Sequence, residues 1–136
     1  MNLHEYQGKE LLNSFGVSIQ RGIVASTPEE AVAAAEKLTA DTGTSWWVIK
    51  AQIHAGGRGK GGGIILCRSP DEVYEAAEKL IGSRLITPQT TADGVEVRKI
   101  YVEEGCNISR ELYLGIVLDR ERDLPVIMAS VEGGIE

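Results

Sequence analysis

The sequence predicts an α+β fold: a small mixed sheet carrying two helices, followed by a group of antiparallel strands. Three observations predict it. Two stretches share one plan, an apolar run, then Ser or Thr followed by Pro, an acid and Glu, then an Ala-rich segment: Thr27-Pro28-Glu29-Glu30 and Ser69-Pro70-Asp71-Glu72 open the two helices. Apolar runs of strand length stand on both sides of a glycine-rich loop. Beyond the turn Ala92-Asp93-Gly94, further runs of strand length follow, separated by polar residues.

Taken in order, Leu3, Tyr6, Leu11, Leu12 and Phe15 recur at roughly helical spacing, and Gly16 is placed to end that first helix. Val17 to Ala25 reads as a short extended segment. Ser26 and Thr27 cap a helix that runs to about Ala40, where Asp41-Thr42-Gly43 breaks it. Trp46 to Gln52 is a strand, the glycine loop follows, and Gly63 to Arg68 is another strand. The second Pro-acid-Glu start opens a helix ending near Gly82. Val95 to Glu104, Glu111 to Asp119 and Pro125 to Ser130 read as three strands, the last two joined by the polar stretch Asp119 to Asp123. Strand edges near Val126 to Val131 are expected to be open to self-association.

Composition bounds the function. At 136 residues, 43% hydrophobic and 25% charged, the chain suits one ordinary globular domain. No apolar run approaches the ~20 residues that span a bilayer. The start, MNLHEYQGKELL, has neither a secretory apolar core nor an Arg-rich transit character, so a cytoplasmic protein is the expectation. Cys67 and Cys106 lie far apart and form no metal-ligand spacing. A net charge of -6 argues against a general nucleic-acid binder.

The exception to that acidity is the loop. His54 to Gly63 holds six glycines plus Arg58 and Lys60, and Thr42 to Pro70 contains no Asp or Glu. Gly57 to Gly62 satisfies GxGxxG, yet the loop leads into the strand Ile64-Ile65-Leu66 rather than a helix, which rejects the dinucleotide fingerprint. A Walker A loop fails as well, because Gly61 follows Lys60 where Ser or Thr is required. What remains is a strand–loop–strand hairpin whose amides, with Arg58 and Lys60, fold over phosphates as a lid. A flexible surface turn is the alternative. Lys50, ending the preceding strand, weighs against it because it reaches an anion held by the amides.

Several motifs now carry a resemblance. Leu3-His4-Glu5-Tyr6-Gln7, Val48-Ile49-Lys50-Ala51-Gln52, His54-Ala55-Gly56-Gly57-Arg58-Gly59-Lys60, Glu111-Leu112-Tyr113-Leu114-Gly115 and Met128-Ala129-Ser130-Val131-Glu132-Gly133-Gly134 occur in fixed order across the whole chain. Together they resemble the N-terminal part of the β subunits of succinate–CoA ligases. The resemblance implies a partial ATP-grasp fold, with residues 1–136 as the N-terminal part of a nucleotide-binding domain. It implies conversion of ATP, succinate and CoA to succinyl-CoA, ADP and phosphate through a phosphohistidine on a partner α subunit. Position by position, it implies that Lys50 contacts the nucleotide phosphates and that Gly57, Arg58 and Gly59 form the phosphate loop. Glu103, Cys106 (through its backbone) and Glu111 fall at the adenine and ribose end. No catalytic residue or metal ligand is expected in this chain. The Mg2+ ligands and the C-terminal domain that meets CoA belong to regions of the family beyond these residues, so this segment alone is expected not to turn over.

Two alternatives stay open. Ile19-Gln20-Arg21 is similar to GTP-using members, whereas the compact glycine loop is similar to the ATP-using ones, and ATP is preferred. A related acyl-CoA ligase, such as one acting on malate, or a non-catalytic nucleotide-binding module also fits these motifs. Other conspicuous residues read as structural. His4 starts a helix, and His54 borders the loop without being the phosphorylated histidine. Trp46 and Trp47 pack on a strand. Glu103 and Glu104 are neighbours on a strand and face opposite ways, so they make no metal pair. Asp119 to Asp123 is a solvated turn, and Arg110 a surface residue.

Overall fold

The computed structural model describes residues 2–133, which divide into two compact units, 2–106 and 107–133. In the first unit the order is α1 (Glu5–Ser14), β1 (Gly22–Ala25), α2 (Pro28–Thr42), β2 (Trp47–Ala51), β3 (Ile64–Cys67), α3 (Pro70–Leu80), β4 (Arg84–Leu85), β5 (Val95–Glu96) and β6 (Ile100–Glu104). The second unit contains β7 (Tyr113–Asp119) and β8 (Leu124–Ser130).

The main sheet has the order β1-β6-β2-β3, and all of its pairings are antiparallel. This corrects the expectation of a mixed sheet. β1 and β2 run the same way and are joined through α2, but β6 inserts between them and pairs antiparallel to both. Periodicity reveals a strand–helix–strand unit without revealing that a later strand will occupy its middle.

The two helix starts act as their residues require. Thr27 Oγ1 accepts from Glu30 N–H, and Ser69 Oγ accepts from Glu72 N–H. Each glutamate returns the bond, Glu30 to Ser26 N–H and Glu72 to Arg68 N–H. α2 runs two residues past Ala40, to Thr42, and ends at Gly43 with φ 75°. Both helices bury the same pattern: Ala31, Ala34, Ala35 and Leu38 from α2, and Val73, Ala76, Ala77 and Leu80 from α3. Alanines at the middle of each stripe let the helices approach each other and the sheet. Opposite them lie Ala25, Trp47, Ile49, Ala51, Cys67, Ile100 and Val102. The Trp47 indole donates to Ala35 C=O at 3.0 Å, satisfying its one polar group inside this core.

Three sequence expectations need correction. Val17 to Ala25 forms a strand only from Gly22, where the Tyr101 ring occupies the space a Cβ would need. Val95 to Glu104 is two strands, because Val97 turns fully inward and bonds Ser83 and Gly82, while the chain leaves β4 for the main sheet. β4 was not foreseen: Arg84 and Leu85 pair with Glu96 and Val95 over too short a run to leave a period.

α1 ends as expected, with Gly16 at φ 82° and its N–H bonded to Asn13 C=O. Its apolar residues are the surprise. Leu3, Leu11, Leu12 and Phe15 are exposed, and α1 contains no fully buried residue. In the second unit β7 and β8 pair from Tyr113↔Ser130 to Asp119↔Leu124. Asp119 Oδ1 accepts from the N–H groups of Glu121 and Arg122, which closes the polar turn. No helix among the described residues is long and apolar enough to cross a membrane.

Candidate functional site: an ion-pair chain beside the glycine loop

Strand register sorts the sheet into two faces. Gly22 and Val24, Tyr101 and Glu103, Val48 and Lys50, and Ile64 and Leu66 alternate onto the face opposite the α2–α3 core. Lys50 and Glu103 therefore point the same way from adjoining strands. Glu104 alternates to the other side, as expected, and its carboxylate accepts from Arg21 N–H.

On this face five charged side chains form one continuous chain. Lys9 pairs with Glu103 Oε2, and Lys50 Nζ lies 2.6 Å from Glu103 Oε1. Lys50 also lies 3.1 Å from Glu5 Oε1, and Arg58 Nη2 lies 2.8 Å from Glu5 Oε2. The sequence is Lys9–Glu103–Lys50–Glu5–Arg58, three cations alternating with two anions. Glu103 is buried at 5% exposure, so these bonds hold its charge inside the protein. Burial alone would lift the Glu5 carboxyl, but the nearby Lys50 and Arg58 charges and their hydrogen bonds outweigh it and hold its pKa at about 2. For Lys50, burial would lower the ammonium, yet the Glu103 bond and the Glu5 and Glu103 charges raise it above its usual value. Lys50 is thus a fixed cation. Tyr101, under the Lys9 ammonium, is pushed up to about 12 by burial and by the charges of Glu103 and Glu5, so its phenol keeps its proton.

One of the loop residues expected at phosphates, Arg58, is a member of this chain. Arg58 folds back, its Nη1 donating to Ala51 C=O at 2.7 Å. The loop also bonds itself: Gly61 N–H to Gly57 C=O, Gly62 N–H to Gly59 C=O, and Gly63 N–H to Arg58 C=O. By contrast, the N–H groups of Gly57, Arg58 and Gly59 have no partner among the described residues. These are three successive donors, beginning at Gly57 with φ 72°, and successive free amides in a turn are groups that an anion can accept from.

The remaining glycines have another reason. Gly56 N–H donates to Gln89 Oε1 at 2.7 Å, and a Cβ on Gly57 would come 2.9 Å from Pro88 Cδ. Cβ atoms on Gly61 and Gly63 would collide with Ile86 C=O and the Leu85 side chain. The segment from Leu85 to Gln89 is seated on the loop, so much of the glycine content serves packing and the loop is strapped down. Gly59 differs: a Cβ there meets only Ile64 Cδ1, at 3.8 Å.

Of the residues expected at the adenine end, Glu103 and Cys106 belong to the first unit and Glu111 to the second. Cys106, exposed and just beyond β6, lines a cleft of about 410 Å³ with Ser18, Ile19, Gln20, Glu104 and Gly105. Its backbone makes no hydrogen bond among the described residues, while Gly105 N–H is bound to Trp46 C=O at 2.9 Å. Gln20 is tied to Lys9, 3.4 Å from its Nζ. Glu111 belongs to the second unit, where it is exposed and packs against Gly133. The structure therefore joins Lys50 and Glu103 directly, links Arg58 to Lys50 through Glu5, sets Gly57 and Gly59 in the loop that carries Arg58, and leaves Cys106 at the cleft.

His4 caps α1 in extended conformation and its ring stacks on His54 at 4.0 Å between centroids. Burial first, then the charges of His54, Lys99 and Arg58, keep His4 below its usual pKa, consistent with a neutral structural ring. Among the described residues no three His, Cys, Asp or Glu side chains gather as a metal site. The sequence reading missed Glu5, Lys9 and Gln52. Gln52 Nε2 bonds Glu5 Oε2 at 3.3 Å, and Gln52 Oε1 accepts from Tyr6 N–H. Glu5 lay inside a quoted motif, but nothing in helical periodicity aims it at Lys50.

Comparisons with known proteins identify the family. The ATP-grasp domain family model matches residues 2–136. Over 136 residues the chain is 58% identical to the succinate–CoA ligase (ADP-forming) subunit beta of Wolinella succinogenes and covers 34% of it. It is 56% identical to the subunit of the same name from Chlorobium phaeovibrioides and covers 35% of it. The chain thus spans about a third of the length of these curated relatives. Among solved structures, acetyl-coenzyme A synthetase 1 of Ca. Korarchaeum cryptofilum superposes with a TM-score of 0.68 at 24% identity, covering 96% of this chain and 53% of that one. Phosphoribosylamine–glycine ligase of Thermotoga maritima gives 0.57 at 24% identity, covering 91% and 27%. These two speak to the fold alone. With the family model matched along nearly its whole length, the chain belongs to the ATP-grasp family.

Proposed function

We propose that this chain is the nucleotide-binding segment of a succinate–CoA ligase β subunit. In this reading ATP lays its polyphosphate against Lys50, Arg58 and the amides of Gly57, Arg58 and Gly59. The adenosine end lies toward Glu103 and the Cys106 backbone. The whole enzyme uses ATP to join succinate and CoA, releasing ADP and phosphate, and passes the phosphoryl group through a histidine on an α subunit. Mg2+, CoA and succinate are held by regions beyond this segment, so the segment alone does not turn over. The relatives' printed name, with its ADP-forming qualifier, supports the reaction and the preference for ATP over GTP. A cytoplasmic location goes with that reading.

One observation carries it. Three consecutive amides without a partner among the described residues belong to the loop that carries Arg58, and Arg58 and Lys50 are already fixed by ion pairs to one carboxylate. Donors arranged in advance bind an anion without the cost of ordering them. The cleft beside Cys106 gives the rest of a nucleotide room at the end of the strand that carries Glu103.

The test uses the full-length ligase assembled with its partner subunit. Calorimetric titration with ATP and with GTP is compared for the wild type and Lys50→Ala. The expected result is ATP binding that weakens at least tenfold on substitution, and turnover that falls by about a hundredfold or more. Unchanged ATP affinity in Lys50→Ala would remove the cradle from this role.

A further inference from the structure

We propose that Glu5, on α1, is a positioning residue for the polyphosphate site, bridging Lys50 and Arg58 so that both cations converge on the loop amides. The inference rests on the nucleotide-binding reading above and extends the site to a helix that reading does not use.

Three observations carry it. The Glu5 carboxylate is divided between the two cations, one oxygen on each, at 3.1 and 2.8 Å, and Gln52 holds the second oxygen from the side. A carboxylate with both oxygens engaged fixes the distance and direction between its partners far better than a single ion pair does. Next, α1 is attached without an apolar stripe. It has no fully buried residue, and its Leu11, Leu12 and Phe15 side chains are exposed, so apart from the half-buried Tyr6 beside Tyr101 its polar contacts with the sheet carry the attachment. Two of its charged side chains, Glu5 and Lys9, end on the chain that contains Lys50. Finally, Arg58 has a second anchor, the Ala51 carbonyl, and Lys50 has Glu103. Removing Glu5 therefore leaves both cations bound to something but no longer bound to a common point.

The expected signature follows from charge. Glu5 is an anion next to the place where further anions bind, so it opposes polyphosphate binding through space while it aims the groups that do the binding. Neutralising it relieves the repulsion and loosens the aim. Affinity and rate then separate, because orientation of the reacting phosphate acts on the chemical step.

The experiment measures ATP affinity by calorimetry and kcat and KM by steady-state assay in the full-length assembled ligase, for Glu5→Gln, Glu5→Asp, Lys50→Ala and Arg58→Ala. Glu5→Gln is expected to bind ATP at least as tightly as wild type while kcat falls at least tenfold. Glu5→Asp keeps the charge and one reach, and is expected to recover part of kcat. If affinity and kcat fall together in Glu5→Gln, Glu5 is only a latch for α1 and the inference is overturned. If neither moves, it is overturned as well. Retention of full ATP affinity in both Lys50→Ala and Arg58→Ala would instead overturn the nucleotide-binding reading itself.

Discussion

Lys50 and Glu103 meet diagonally across adjoining strands, Nζ to Oε1 at 2.6 Å, although register sets Val48 opposite Glu103 and Tyr101 opposite Lys50. Diagonal neighbours on one face are within reach of long side chains. The contact leaves the Tyr101 ring free to cover Gly22 and brings the Lys50 ammonium toward α1.

That geometry sets the cost of breaking it. Glu103→Leu leaves Lys9 and Lys50 with a partly buried charge and one acid fewer, and we expect a loss of roughly 3–5 kcal/mol in unfolding free energy. Urea unfolding of the chain, followed by circular dichroism, checks it. A loss below about 1 kcal/mol would mean that water replaces the carboxylate.

The loop glycines separate packing from binding. Gly57→Ala meets Pro88 and carries a φ of 72° that a side chain resists, so it should destabilise the fold by roughly 1–3 kcal/mol. Gly59→Ala meets open space and should leave the melting temperature within about two degrees of wild type. It does place a methyl group among the loop's unpartnered amides. ATP affinity in the full-length ligase should drop for Gly59→Ala without any stability change; equal affinity would show that the phosphates lie elsewhere.

Acid should undo α1 late. The Glu5 pKa in the folded chain is depressed to about 2 from its ordinary value of 4.5, so the unfolded state binds the proton more readily. The contribution of Glu5 is fully present above its unfolded value and is lost as pH falls through about 2. It amounts to on the order of 3 kcal/mol. Unfolding free energies of wild type and Glu5→Gln, measured from pH 6 downward, should therefore converge as pH drops; parallel curves over that range would refute the assignment.

The core helix stripe should behave conventionally. Leu38, at 2% exposure, lies between α2 and the sheet, and Leu38→Ala should cost roughly 2–5 kcal/mol in a denaturant titration. A smaller value would mean that the alanine-lined interface closes over the cavity.

The second unit leaves Leu114, Ile116, Leu118 and Ile127 exposed on a two-stranded hairpin. Open strand edges beside such apolar surface favour pairing between copies. Light scattering of the 136-residue chain should show association at high concentration, and Ile127→Lys should reduce it. A monomer throughout would contradict the expectation.

Much of the architecture was legible because its signals are local. Thr27-Pro28-Glu29-Glu30 and Ser69-Pro70-Asp71-Glu72 formed reciprocal caps where the sequence placed them, and the strands on both sides of the loop paired as a hairpin. The break at Val97 and the insertion of β6 were not legible, since each depends on partners distant in the chain. The same division runs through the site. Motifs singled out Lys50, Arg58 and Glu103; in the structure Lys50 meets Glu103 directly, and Arg58 reaches Lys50 only through Glu5, which, like Lys9 at the end of the chain, sequence patterns did not single out. Conversely, the glycines seemed to serve a ligand, whereas Gly56, Gly57, Gly61 and Gly63 also make room for residues Leu85 to Gln89.

The position of β6 has a kinetic consequence. This central strand is supplied by residues 100–104, after β1, α2, β2, β3 and α3 have all been synthesised. Until it enters, β1 and β2 have no common neighbour, and Lys50 and Glu103, 53 residues apart, have not met. Closing so long a stretch of chain is slow relative to helix or hairpin formation. The charged face should therefore assemble in the last folding phase, and a probe at Lys50 would report completion of the sheet rather than its nucleation.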